Sequence, residues 1–389
     1  MLSKWGVILN HPAILRCLLT SLAVLSLTST ALAADKPVIG PPPAWVKPHP
    51  VPAGIAAPDT AAVRVLMFDQ QISFNKRGGY AVYNRTAVHI QTAQGLAAMG
   101  SVTVPWKPDT STLTVHQLQI LRGDKVIDLI GEGRQFTVLR REKGLEYAAL
   151  DGTLTATMQV EDLRIGDILV SAMTIDSFDP VLRGHADAIL AAGLPVTIGE
   201  QFFIAAWPAD SAMRWRARHP AAKPVEQRNP PGIMFAARDV QPLAAPRDAP
   251  PRYRIGRIVE LSDFASWADV AAIFVPLYAE ARRLKPDSPL HAEIARIRAA
   301  SPDPAKQASA ALALVESQVR YVFLGMNDGA LVPAAADVTW SRRFGDCKGK
   351  TALLLALLDG LGIPAEAALV SSKLGDGLPL ATVWGVGYR

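Results

Sequence analysis

The sequence feature that most constrains the fold is residues 344–350, FGDCKGK, followed at once by an apolar run over residues 351–361. The run consists of strong helix formers and has no β-branched residue after its first position, so it predicts an α-helix. Asp346 can cap the first turn, and Gly362 and Pro364 can end the helix. Because the run is apolar around its whole circumference, we expect this helix to be buried on all sides.

Cys347 falls at the start of the predicted helix. Free backbone N–H groups and the positive end of the helix dipole favour a thiolate at such a position, and the same N–H groups can hold a developing oxyanion. The alternative is a buried cysteine that serves only as a small apolar side chain. Asp346, Lys348 and Lys350 are poor neighbours for a core residue, which favours a reactive thiol. Lys348 either lowers the pKa of that thiol or is simply exposed to solvent.

Composition excludes several classes of protein. With 389 residues, of which 50% are hydrophobic and 19% charged, the chain is long enough for two globular domains. The net charge of +5 is modest and no long basic block occurs, so nucleic acid is not an expected partner. The histidines lack the spacing of metal ligands, and no glycine-rich stretch has the flanks of a dinucleotide site. We therefore expect neither a metal nor a cofactor.

Residues 1–33 have the pattern of a secretory signal peptide. Lys4 and Arg16 supply the positive region, residues 17–27 are apolar, and residues 31–33 form a small-x-small cleavage site. The apolar run is shorter than the roughly 20 residues that span a bilayer, and no other segment has the length and apolarity of a membrane span. We therefore expect a periplasmic or secreted bacterial protein with no transmembrane segment after cleavage.

Export changes the interpretation of the two cysteines. Cys17 would leave with the signal peptide, so Cys347 would be the single thiol of the mature chain. A lone thiol cannot form an internal disulfide, although exported proteins usually pair their cysteines. This again favours a functional role for Cys347.

Beyond the signal peptide, residues 34–60 form a proline-rich linker, which we expect to lie as an extended arm over the next domain. Residues 61–261 carry strand signals, including alternation over residues 153–160 and a hairpin turn at residues 123–124. They predict an antiparallel β-sandwich-like domain. Residues 220–251 are proline-rich and aperiodic, which predicts long surface connections. His89, His116, His185 and His219 fall in this β region and are expected at its surface or edges.

Helical patterns begin at residue 262. Residues 267–284 predict a helix that Pro276 kinks or breaks, and Ser288 and Ser301, each followed by proline, predict two further helix starts. Together with the buried helix after Cys347, this assigns residues 262–389 to a second domain. The predicted fold class of the whole chain is α+β.

Residues 309–372 resemble the core of the transglutaminase-like superfamily, which has a papain-like cysteine fold. The resemblance is most specific at residues 345–348 (GDCK), in the helix behind them, and at residues 361–364 (LGIP). The β region is similar to the domain of unknown function that commonly precedes such cores in exported bacterial proteins, for example over residues 136–142 (FTVLRRE).

The resemblance implies a Cys-His-Asp arrangement in which Cys347 is the nucleophile. A histidine on a later strand would be its base, and an aspartate on the next strand would orient that histidine. Acyl transfer from a glutamine or peptide carbonyl would give a thioester, so the implied partner is a peptide or protein substrate. Attack by water on the thioester gives hydrolysis, and attack by an amine gives a cross-link.

The chain departs from the family pattern downstream of Cys347, because the last of its seven histidines is His291. We expect an incomplete core, truncated or read in a shifted frame near Leu378, and therefore a chain without triad-dependent turnover. The alternative is a non-catalytic binding or scaffolding module of the bacterial envelope. Trp340 has two interpretations: it supports the oxyanion or lines the acyl groove, or it is a core residue. The sequence does not indicate an oligomeric state.

Overall fold

The computed structural model describes residues 35–52, 61–140, 148–243, 248–250, 256–325, 330–370, 380–383 and 387–388. The chain divides into Met1–Ala33 and the compact unit Ala34–Arg389, and every described residue belongs to the second unit. The predicted signal peptide therefore lies outside the described residues.

The first part of the described chain is built mainly of strands, with one short helix, α1 (Ala93–Met99). Its strands are β1 (Val38–Ile39), β2 (Val63–Phe74), β3 (Tyr80–Ile90), β4 (Ser101–Trp106), β5 (Ser111–Arg122), β6 (Lys125–Asp128), β7 (Thr137–Arg140), β8 (Ala149–Leu150), β9 (Leu154–Gln159), β10 (Ile168–Ser177), β11 (Asp187–Ala191), β12 (Ile198–Ala206), β13 (Arg214–Arg218), β14 (Val225–Arg228), β15 (Pro231–Val240) and β16 (Ile258–Ser262).

A nine-stranded sheet forms the centre of this region, in the order β1-β5-β10-β3-β2-β12-β15-β14 with β6 beside β5. Most neighbours are antiparallel, as predicted, whereas β1 with β5 and β12 with β2 are parallel pairs. The hairpin predicted at residues 123–124 joins β5 to β6. Gly123 adopts φ +56° in that turn, a conformation that a residue without a Cβ reaches at little cost.

Two three-stranded sheets cover one face of the large sheet and give the region its sandwich-like build. The sheet β4-β9-β7 packs through a cluster that includes Trp106, Leu113, Val115 and Ala156. The sheet β11-β16-β13 packs through a second cluster that includes Ile72, Phe203, Phe235, Val259 and Leu261. The predicted α+β class, with a β-sandwich-like part before a helical part, is confirmed.

The prediction of surface connections over residues 220–251 is wrong for residues 225–240. β14 and β15 form a hairpin there, and β15 pairs with β12 on its other side. Ile233 and Phe235 are buried in the core. Pro230 lies in the turn and Pro231 is the first residue of β15, positions at which a missing N–H breaks no interior ladder bond. The high proline content therefore suggested loops in a segment that contains the strand β15.

The arm over residues 35–52 lies on the opposite face of the large sheet. The N–H and C=O of Lys47 bond to the side chain of Gln71, at 2.8 and 2.6 Å. His49 Nδ1 lies 3.0 Å from Oδ2 of Asp69, a carboxylate that is fully buried. Gln71 Nε2 also donates to both oxygens of Asp69, at 3.0 Å each. A buried network of polar contacts therefore holds the arm against β2.

His89 contradicts the prediction of a surface or edge position, whereas His116 lies on β5 beside the edge strands β1 and β6. His89 is only 8% exposed, on the central strand β3. His116 is half-buried, and its ring bonds to the carbonyl of Gly40 at 2.8 Å and to the hydroxyl of Thr174 at 2.7 Å. His116 can be partly buried because the carbonyl of Gly40, in the arm, supplies a partner for its imidazole.

The second part of the described chain is mainly helical. Its elements are α2 (Trp267–Ala281), α3 (Leu290–Ala300), α4 (Pro304–Gln318), β17 (Arg320–Tyr321), β18 (Phe323–Leu324), α5 (Ala336–Arg342), β19 (Phe344–Gly345), α6 (Cys347–Leu361), β20 (Leu369–Val370) and β21 (Gly387–Tyr388). Pro276 lies inside α2. The side chain of Asp303, rather than Ser301, caps α4, because Pro304 and not Pro302 occupies its first turn.

Helix α6 matches its prediction at both ends. The side chain of Asp346 accepts the N–H of Gly349, and Gly362 ends the helix in the left-handed region at φ +79°. Most of the helix is buried, with Asp359 its one exposed residue. Helices α3, α4 and α5 pack around it through Leu353 and Leu357 and their neighbours.

The short segment 380–383 packs back onto the β region. Ala381, Thr382 and Val383 are each no more than 6% exposed. The hydroxyl of Ser262 donates to the carbonyl of Ala381 at 2.5 Å. This segment, which follows the suspected frame shift near Leu378, is thus part of the core. In the described part of the chain, each helix is too short or too polar to span a membrane.

Candidate active site

Cys347 is the first residue of α6 and follows directly on the short strand β19. β19 pairs in parallel with β17, so residues on either side of a segment that includes β18 and α5 are brought together next to the cysteine. The thiol is free and half-buried. The predicted position, at the start of an Asp-capped buried helix, is therefore the observed one.

Asp346 and Lys348 form a buried ion pair on either side of Cys347. Lys348 is 1% exposed and its ammonium group contacts the carboxylate of Asp346. The ammonium also lies 5.2 Å from the ring centre of Phe323. Of the two alternatives for Lys348, solvent exposure is therefore wrong, and Lys348 does lower the pKa of the thiol. The pair can be buried because each charge meets its counter-charge, and Asp346 also accepts a backbone N–H.

Opposing effects act on the pKa of the Cys347 thiol. Burial raises the pKa of Cys347, the nearby Lys348 lowers it, Asp346 raises it, and a hydrogen bond with Tyr321 lowers it. The net direction is upward, because loss of hydration outweighs the favourable charge. A raised pKa favours the protonated thiol, which opposes the effect expected from the helix N-terminus.

Tyr321 is the residue of the site that the sequence analysis missed. Its side chain and that of Cys347 influence each other, since Tyr321 lowers the pKa of the thiol and Cys347 raises the pKa of the phenol. Parallel pairing of Tyr321 with Gly345 places it there. The signal in the sequence was the change from helix to strand pattern at residues 320–324. Pairing of two-residue strands cannot be deduced from local patterns.

Thr339 packs against Gly345 and Gly349 on the buried side of the site. It is 1% exposed, and its hydroxyl lies 2.9 Å from the position that a Cβ on Gly349 would take. Its methyl group lies equally close to the corresponding position on Gly345. The two glycines of the GDCKG stretch are therefore required by close packing against α5.

Trp340 lies in the core below α6. It is 5% exposed and belongs to the apolar cluster that contains Leu353 and Leu357. The guanidinium of Arg343 stacks over its ring at 3.6 Å. Of the two interpretations of Trp340, this packing supports the core residue.

Four imidazoles of the described residues hydrogen-bond to groups other than Cys347. The partners are Asp69 for His49, Gly40 and Thr174 for His116, Asp263 for His185, and Lys285 for His291. Over the described ranges, no three His, Cys, Asp or Glu side chains come together as metal ligands would.

An apolar groove lies between α2 and α6. Its volume is about 410 Å³, and its lining includes Trp267, Phe274, Val275, Tyr278, Leu355 and Leu369. Trp267 and Val275 are 42% and 65% exposed. Burial raises the pKa of Tyr278, and the charges of Cys347 and Asp346 raise it further, so this end of the groove lies near the thiol.

Comparisons with known proteins agree with this architecture. Residues 76–245 match the family described as a domain of unknown function with a solved structure, DUF3857. The fold is similar to the crystal structure of a protein from Parabacteroides distasonis ATCC 8503 that is provisionally described as a protease. The TM-score is 0.61 at 12% identity, over 80% of this chain and 62% of that one. The chain thus spans less than two thirds of that protein. No curated protein sequence matches this chain.

Proposed function

We propose that this chain is an exported transglutaminase-like protein whose Cys347 attacks amide or peptide carbonyls to form a thioester. The observation that carries the proposal is the position of the thiol at the first residue of a buried, Asp-capped helix. The resemblance of residues 309–372 to the transglutaminase-like core supports it. So do the match to DUF3857 and the similarity in fold to a provisionally described protease.

The chemistry follows from the helix N-terminus. The sulfur attacks the carbonyl carbon, a C–S bond forms, and the carbonyl oxygen becomes an oxyanion. The backbone N–H of Cys347 and the positive end of the helix dipole stabilise that charge. When the C–N bond breaks, the thiol proton leaves with the amine, and a thioester remains on Cys347. Water or an amine then releases the acyl group.

We further propose that turnover by the described residues alone is slow. Burial raises the pKa of Cys347, and the groups that act on its charge are Lys348, Asp346 and Tyr321. A general base that accepts the thiol proton would raise the rate by roughly 10²–10⁴. This part of the proposal retains the expectation that the Cys-His-Asp triad is incomplete.

A peptide or protein is the proposed substrate. The groove between α2 and α6 offers an apolar lining for a side chain next to the reacting carbonyl. The proposed location is the periplasm or the outside of a bacterial cell, because residues 1–33 have the pattern of a cleaved signal peptide.

An acylation experiment tests the proposal. The chain is incubated with acetyl-phenylalanyl-glycine p-nitrophenyl ester, and peptide mapping by mass spectrometry locates the acyl group. We expect a hydroxylamine-sensitive adduct on Cys347 that is absent from Cys347→Ala. In the full-length chain, Cys17 serves as an internal reference thiol. Acylation of Cys347 no faster than that of Cys17 would contradict an acyl-transfer site and favour the binding or scaffolding module.

A further inference from the structure

A second cavity, the arm cavity, lies where the arm meets one end of the large sheet. Its volume is about 500 Å³, within the roughly 300–1,000 Å³ of typical ligand pockets. Residues 44–47 of the arm line it together with the last residues of β2 and β12 and the turn between β14 and β15. Among the described residues, it shares no lining residue with the groove between α2 and α6. An inference about this cavity therefore does not depend on the chemistry of Cys347.

Hydrogen bonds hold the walls of the arm cavity in place. The side chain of Gln71 is 1% exposed and bonds to the N–H and C=O of Lys47, at 2.8 and 2.6 Å, which fixes the arm two residues after Trp45. The N–H of Trp207, just beyond the end of β12, donates to the carbonyl of Pro231 at 3.0 Å. Both tryptophans thus stand on a backbone that is already ordered, so a ligand does not have to pay for ordering it.

The lining of the arm cavity combines aromatic rings with side-chain amides and carries little charge. Trp45 and Trp207 are half-buried, so part of each indole remains open to a ligand. Gln227 and Asn229 add two amides, each of which can donate and accept hydrogen bonds. Within the described ranges, none of these four side chains hydrogen-bonds to another residue. Lys47 is the one charged residue of the described lining, and it is exposed.

We propose that the arm cavity binds a neutral oligosaccharide. A pyranose ring has a flat face of C–H groups that can pack on an indole ring, and its rim carries hydroxyl or acetamido groups that can pair with amides. A purely apolar ligand would cut the amides and the indole N–H groups off from water without giving them partners, which lowers affinity. An anion would find no counter-charge in the described lining other than the exposed Lys47.

An extended peptide matches the arm cavity less well than a sugar does. Peptides are commonly bound by strand addition, through free backbone groups at the edge of a sheet. Here the N–H and C=O of Lys47 and the N–H of Trp207 already have partners. The groups left for a ligand belong to side chains, which favours the hydroxyl groups of a sugar over a peptide backbone.

Calorimetric titration of the full chain with chitotriose and with cellotriose tests the proposal. Chitotriose carries acetamido groups, whereas cellotriose carries only hydroxyl groups. We expect saturable binding of at least one of them. Trp45→Ala and Trp207→Ala should each weaken that binding roughly tenfold or more, because each removes an indole on which a sugar ring packs.

Gln227→Met keeps the length of the side chain and removes its hydrogen bonds. We expect this variant to bind the sugar roughly threefold to tenfold more weakly. Because Gln227 lies on the edge strand β14, the change leaves the core intact. This variant therefore tests the cavity even if a tryptophan variant loses its fold, which urea unfolding of each variant detects.

Trp267→Ala is the matched control. It removes an exposed indole from the groove between α2 and α6 and should bind the sugar as the wild type does. An equal loss in Trp267→Ala, or unchanged binding in both Trp45→Ala and Trp207→Ala, would overturn the proposal. Absence of saturable binding of both trisaccharides would also overturn it, and binding of octaproline in their place would make the cavity a peptide site.

Discussion

Asp187 and Thr382 share a hydrogen bond although 195 residues separate them in the sequence. Asp187 lies on β11 and is fully buried, and Thr382 lies in the short segment that follows α6. The same carboxylate accepts the N–H of Val383 at 2.7 Å. The β region and the helical region are thus joined through one buried carboxylate.

Removing the Thr382 hydroxyl should loosen this junction. In Thr382→Val the side chain keeps its shape, but the buried Asp187 carboxylate loses one donor, at a cost of about 1–3 kcal/mol. We expect the free energy of unfolding in urea to fall by that amount. Thr103→Val, on the exposed face of β4, is the matched control and should leave it nearly unchanged. Equal values for both variants would contradict the junction.

The buried pair of Asp346 and Lys348 gives a second prediction. Asp346→Asn can still cap α6, but it takes the carboxylate away from a buried ammonium, which costs about 3–5 kcal/mol. We expect the double variant Asp346→Asn with Lys348→Met to recover much of that loss, because a charge no longer has to be buried. Urea unfolding of the two single variants and the double variant measures the coupling.

An exposed ion pair serves as the control for this cycle. Lys76 and Asp210 lie 2.7 Å apart, with side chains 73% and 67% exposed. Asp210→Asn should leave the free energy of unfolding nearly unchanged, because water replaces the lost partner. A similar loss from Asp210→Asn and Asp346→Asn would show that burial does not set the cost.

Gly349→Ala should destabilise the chain although alanine is the better helix former. The new Cβ would lie 2.9 Å from the Thr339 hydroxyl, so α5 or α6 must shift, at about 1–3 kcal/mol. The added variant Thr339→Ala removes that atom and should restore part of the loss. Thermal unfolding of the single and double variants measures these changes in stability. A Gly349→Ala variant more stable than the wild type would contradict close packing of Gly349 against Thr339.

The arm gives a prediction about pH. Burial raises the pKa of Asp69 above its ordinary value of 3.8, although His49 and Gln71 lower it. The folded chain therefore holds this proton more tightly than the unfolded chain. The contribution of Asp69 to stability is complete below pH 3.8 and is lost as the pH rises through the folded pKa.

Asp69→Asn removes this dependence. Relative to the wild type, its free energy of unfolding should rise as the pH increases from about 4 to about 7. Urea unfolding at a series of pH values measures the difference between the two proteins, in which the other carboxyl groups cancel. Parallel curves for the two proteins would contradict a raised pKa at Asp69.

Local patterns in the sequence were enough for α6 and for the β5–β6 hairpin. Helix propensity, the Asp346 cap and Gly362 lie within a few residues of one another, so they fix both ends of α6 without reference to the rest of the chain. The position of Cys347 follows directly from that helix. The same applies to Gly123, which sits between two alternating runs.

Contacts between distant residues decided the rest. Lys348 is buried because it meets Asp346 and the ring of Phe323. Tyr321 reaches Cys347 only through the pairing of β17 with β19. A window around Lys348 contains Asp346 but not Phe323, and a window around Tyr321 does not contain Cys347, so charge or propensity alone misjudges such positions.

The arm also implies an order of folding. The ring of His49 stacks at 3.9 Å on Phe202, which lies on β12, far along the chain. Such long-range contacts are slow to form. Docking of the arm is therefore expected late in folding, because its partners lie on strands of the large sheet.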